Sequence, residues 1–171
     1  MLIDFRGYAA GFIVSGRVDL TADRLTDQLN RDASLELADV TLESLVDGRT
    51  VTIDQLVLEP RELFAAKALG PRGDVAQRIV TVEHRLQAQI GPYNVLGRLH
   101  AEPGLSAMES VLRRWPMIPL TEATIAYVIG GVLEVRDGGT IIINRELATW
   151  VRDPEADEQT LATTAVLAAA R

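Results

Sequence analysis

The chain has 171 residues, 47% of them apolar and only 5% aromatic, no cysteine, and a formal net charge of −7. That length fits one domain or two small ones, and the missing cysteines exclude a disulfide framework and thiolate metal sites. The acidic balance weighs against general nucleic-acid binding, because polyphosphate is repelled at long range.

Acid and base occur early in MLIDFRGYAAGF, so no signal peptide is expected. No apolar run reaches the roughly 18 residues of a membrane-spanning helix. A cytoplasmic protein without membrane attachment is expected. Phe12 to Leu20 alternates as a strand, and Gly16 within it suggests a bulge or a close backbone approach. Thr21 is placed to cap a helix over 22–30 in which Leu25 and Leu29 share a face. Leu35, Leu37 and Leu42 then open a long strand, and Asp47-Gly48 signals a two-residue hairpin. Val51 and Ile53 return, Leu56-Val57-Leu58 forms a short buried strand, and Pro60 stops it.

Gly70-Pro71-Arg72-Gly73-Asp74 marks a linker, taken as 70–77, after which an extended segment runs from Ile79 to Ile90. Tyr93 to Leu99 reads as a strand, and Leu105 to Arg114 as a helix with Met108 and Leu112 inward. Ile118 to Ile129 is a long strand and Gly130-Gly131 a turn. Val132 to Arg136 returns, Asp137-Gly138-Gly139 turns again, and Thr140 to Asn144 is the last strand. From Asp153 a C-terminal helix is expected over 153–171, with Pro154 at its first position and an apolar stripe of Leu161, Ala165 and Ala168.

The chain repeats itself. Val14, Gly16 and Arg17 recur as Val95, Gly97 and Arg98. Leu35, Leu37, Thr41 and Gly48 recur as Ile118, Leu120, Thr124 and Gly131. Arg61-Glu62-Leu63 recurs as Arg145-Glu146-Leu147. The period is too long for a solenoid. The expected architecture is mainly β with short helices: two tandem copies of a small barrel-like β unit, residues 1–69 and 78–152, plus the C-terminal helix.

Chemistry-bearing patterns are sparse. His84 and His100 lack a ligand-spaced partner, so neither a metal nor another cofactor is expected. Asp39 and Glu122 occupy equivalent places and would form an acid site if the two copies brought them together. The repeated arginines Arg17/Arg98 and Arg61/Arg145 can salt-bridge the repeated acids or bind an anion where the copies join. Trp115 and Trp150 belong to the second copy alone, which points to asymmetric packing or an interface.

The stretch VSGRVDLTADRLTDQLN followed by LADVTLE, with Gly16, Asp27, Asn30 and Asp39, resembles the first signature of Sm-like small β-barrels. LVLEPREL and IIINRELATWV resemble the second, an apolar run followed by Arg61 or Arg145. The resemblance implies a small β-barrel, and Asp27, Asn30, Arg61 and Arg145 as residues that would hold a base of single-stranded RNA. Three functions follow as expectations: a non-enzymatic tandem β module that assembles with itself or a protein partner, an Sm-like RNA or nucleotide binder, which the charge disfavours, and a small enzyme with an acid site between the copies.

Overall fold

A computed structural model, which describes residues 1–71 and 80–154, shows ten strands in a single antiparallel sheet. The first half of the chain contributes β1 (Leu2–Tyr8), β2 (Phe12–Asp19), helix α1 (Leu25–Arg31), β3 (Leu35–Ser44), β4 (Thr50–Leu58) and β5 (Ala65–Lys67). The second contributes β6 (Val82–Ile90), β7 (Tyr93–Ala101), helix α2 (Ala107–Arg113), β8 (Met117–Ile129), β9 (Val132–Asn144) and β10 (Ala148–Arg152). The strand order is β10-β6-β7-β8-β9-β5-β1-β2-β3-β4.

This order corrects the expected pair of barrel-like units. β5 of the first half pairs with β9 of the second, Ala65 opposite Ile143, Ala66 opposite Ile142 and Lys67 opposite Ile141. The backbone groups on that side of β5 therefore bond across the two halves, and one open sheet runs through the chain. Burial agrees with the ladder. One apolar cluster is built mainly on the second half but takes in Tyr8, Ile13 and Ala65. The other is built mainly on the first half but takes in Met117 and Ile142. The expected linker over 70–77 and the helix over 153–171 lie almost wholly outside the described residues.

Several local expectations change for identifiable reasons. β4 is one continuous strand, and the residues between β3 and β4 form a longer loop in which the Gly48 N–H donates to the Ser44 carbonyl. β9 is also continuous: Asp137-Gly138-Gly139 is an irregularity in its pairing with β8, not a turn. Gly130-Gly131 is a true two-residue turn, with Ile129 opposite Val132 and φ of 55° and 80°, values that glycine adopts without steric cost. α1 begins at Leu25 and lacks a side-chain cap, so Thr21 does not cap it. α2 begins after Ser106, whose hydroxyl accepts from the Glu109 N–H while the Glu109 carboxylate accepts from the Ser106 N–H. That cap turns Ala107, Ser110 and Val111 inward, leaving Met108 38% and Leu112 67% exposed rather than in the core.

Candidate functional site

The repeated Gly-Arg blocks sit at matching irregularities of the sheet. The register of β2 on β3 shifts beside Gly16, and that of β7 on β8 shifts beside Gly97. A Cβ on Gly16 would lie 2.9 Å from the Ala38 carbonyl oxygen, and one on Gly97 would lie 2.9 Å from the Cβ atoms of both Ala123 and Leu120. Opposite the glycines, Asp39 (φ 52°) and Glu122 (φ 47°) take the left-handed conformation that side chains other than glycine rarely adopt. Arg17 pairs with Asp39. Arg98 pairs with Glu122 at 2.9 Å and with Glu83 at 2.7 Å. The repeated acids and arginines thus pair within each half at the surface, and neither Asp39 nor Glu122 lines the recesses described next.

Where the halves join, α1, the start of β8 and the two 3-10 turns Pro60–Glu62 and Arg145–Leu147 border two adjoining recesses of about 330 and 490 Å³. Asn30, Pro116 and Glu146 line both, Arg61 lines the first, and Arg113, Arg114, Trp115 and Arg145 line the second. Of the residues singled out in the sequence, Asn30, Arg61 and Arg145 are brought to this groove. Asp27 is not among its lining; it pairs with Arg24 on the exposed side of α1 at 3.0 Å.

Most polar groups here already have partners, and two of them, Asn30 and Asn144, bond across the halves. Asn30 Nδ2 donates to the Met117 carbonyl at 3.0 Å, and Asn30 Oδ1 accepts from the Met117 N–H at 2.9 Å. Asn144, buried, donates through Nδ2 to the carbonyls of Arg61 (3.2 Å) and Leu63 (3.1 Å) and accepts the Glu146 N–H through Oδ1. Arg145 Nε donates to the Arg114 carbonyl, and Arg61 pairs with Glu59 at 2.6 Å. Burial holds the Arg114 guanidinium below its ordinary value. Trp115 stands 74% exposed at the rim. Sequence reasoning missed Asn144; its one visible signal was a lone amide ending the apolar run Ile141-Ile142-Ile143.

Tyr8 of the first half and Tyr93 and Tyr127 of the second form a buried ring cluster with centroids 5.3 to 6.0 Å apart. The Tyr93 hydroxyl donates to the Ala9 carbonyl in the other half at 2.7 Å, and burial pushes that hydroxyl's pKa up. His100 Nε2 lies 2.8 Å from the Thr121 hydroxyl. Among the described residues no group of three or more His, Asp or Glu side chains is placed to hold a metal ion, and no helix is long and apolar enough to cross a membrane.

No protein-family model, curated protein or solved structure matches the chain. Together with the open sheet, this overturns the Sm-like resemblance. The Asn and Arg that suggested a base-binding loop sit in unlike backbone settings. Asn30 is on a helix, and Arg61 is the second residue of its 3-10 turn whereas Arg145 is the first of its own.

Proposed function

We propose that the chain is a non-enzymatic assembly module that recognises partner polypeptide along the open edges of its sheet. One observation carries this reading. β4 ends the sheet with no strand on its outer side among the described residues, and it exposes Val51 by 58% and Val57 by 66%. An uncovered row of N–H and C=O groups is a template for another strand, and natural edges are usually blunted by proline or charge. β4 (TVTIDQLVL) carries a single charge and no proline.

The β8–β9 ribbon supports a protein partner. Val128 lies directly opposite Leu133, and Ala126 opposite Val135, so these side chains share one face of the ribbon. Val128, Leu133 and Val135 are all exposed. Apolar surface of this kind suits a polypeptide better than a polyanion.

A photo-cross-linking residue placed at Val57 of the full chain tests the reading, with adducts identified by mass spectrometry from the cells that express it. The expected adducts map to a strand of a polypeptide and exceed those from the same probe at Arg17, which is exposed and lies opposite Asp4 on one side and Ala38 on the other. Equal yields at the two positions would overturn the reading.

A further inference from the structure

The joint between the halves shows what the open edges fit. It is made by β9, the fourth strand of the second half, and β5, the fifth strand of the first. The remaining fourth and fifth strands, β4 and β10, are the two ends of the sheet. Each surface of the joint therefore occurs twice in the chain, once mated and once open.

The registers set the correspondence residue by residue. Arg17 opposite Ala38 and Arg98 opposite Thr121 make Leu35 the counterpart of Ile118. Leu35 faces Leu58 and Ile118 faces Ile143, so Leu58 answers to Ile143, Val57 to Ile142 and Leu56 to Ile141. Phe5 opposite Gly16 and Leu86 opposite Gly97 likewise match Tyr8 with Gln89. Tyr8 faces Ala65 and Gln89 faces Trp150, so Trp150 answers to Ala65, Val151 to Ala66 and Arg152 to Lys67. Burial reports the missing partner: Ile142 in the mated strand is 0% exposed, and Val57, its counterpart in the open one, is 66% exposed.

We infer that the partner is a second copy of this chain, and that β10 of one copy adds antiparallel to β4 of the next with Trp150 opposite Leu58, Val151 opposite Val57 and Arg152 opposite Leu56. The inference rests on the edge-recognition reading above and names its partner. A second surface agrees. The inward triads Leu25, Gln28, Leu29 and Ala107, Ser110, Val111 put Leu112 of α2 where α1 carries Asn30. Asn30 crosses the mated joint to Met117, while Leu112 is 67% exposed at the open end. The contact is heterologous, so it propagates as a filament or closes as a ring according to the rotation between copies. It is weaker than the internal joint. The counterpart of Asn144 is Glu59, and a carboxylate cannot donate the two hydrogen bonds that Asn144 gives to the Arg61 and Leu63 carbonyls.

The chain has no cysteine, so single thiols report the register. Full-length Val57→Cys and Val151→Cys chains are mixed and treated with a short thiol cross-linker, with Val51→Cys plus Val151→Cys as the displaced control. Sedimentation of the wild type and of Val57→Lys accompanies the cross-linking; residue 57 is exposed, so the lysine leaves the folded chain intact. The expected result is a mixed dimer linked between position 57 of one chain and position 151 of the other, several-fold over the control, with wild-type mass rising with concentration and the Val57→Lys chain remaining monomeric. No preference over the control, or a wild type that stays monomeric at every concentration, overturns the inference. If the wild type is monomeric while the photo-probe at residue 57 links to an identified different protein, self-assembly alone fails; if the probe links to nothing, the edge reading fails with it.

Discussion

Asn144 and Gly97 carry more of the structure than their size suggests. Asn144 satisfies two carbonyls of the other half and one N–H of its own turn, and it is 1% exposed. Truncation leaves buried backbone groups unpaired, so Asn144→Ala is expected to cost about 2–4 kcal/mol in chemical denaturation. Asn144→Asp is expected to cost more, because it sets a carboxylate against two carbonyl oxygens. For Gly97→Ala the new methyl meets the Ala123 and Leu120 Cβ atoms at 2.9 Å, and a loss of about 1–3 kcal/mol is expected from overpacking. Gly16 and Gly97 were legible in the sequence, because a glycine inside an alternating apolar run has few structural meanings. The left-handed backbone of Asp39 and Glu122 was not, since each belongs to a bulge of its own strand, in which two residues face one glycine, and that register is set by pairing between strands. Asn30 was singled out for base binding, yet its amide is occupied by Met117. A polar residue that clamps two backbone segments looks, in a sequence, like one that binds a ligand.

Among the elements, the helices and the shortest strands separate pattern from packing. α1 and α2 were both foreseen, but the inward face of α2 was displaced by one residue, because the Ser106–Glu109 capping box sets where the helix starts. β5 has three residues, two of them alanine, and β10 pairs with β6 through an irregularity between Ala148 and Trp150. Neither carries an alternating signal, and both exist because a neighbouring strand offers a ladder. β1 was legible in principle: Ile3, Phe5 and Gly7 alternate with Leu2, Asp4 and Arg6.

The α2 cap also gives the fold a pH dependence. The Ser106 backbone N–H, then its hydroxyl, holds the Glu109 carboxyl below its ordinary value of 4.5. A carboxyl with a lowered folded-state pKa stabilises above its unfolded value and loses that contribution as pH falls through its folded value. The wild-type helix is therefore expected to loosen on acidification below about pH 4.5. Glu109→Gln, which keeps an acceptor but not the charge, is expected to flatten that part of the stability curve. Helix circular dichroism followed from neutral to acid pH in both proteins checks this, and parallel acid limbs would assign the loss elsewhere.

For the whole molecule, the sequence led to two separate repeat units, whereas the halves, though matched in strand register, share one sheet. Similar β-rich segments can close on themselves or join, and the choice is made by the β5–β9 pairing, a contact between residues distant in sequence. Joined this way, the sheet keeps one open copy of each joint surface, β4 and β10. Amide hydrogen exchange measured at low and high protein concentration tests this most directly, with the mated β5 as the internal reference. We expect the β4 amides that face away from β3 to exchange fast in dilute solution and to become protected as concentration rises, while those bonded to β3 and those of β5 stay protected throughout. Protection of β4 that does not change with concentration would contradict the account.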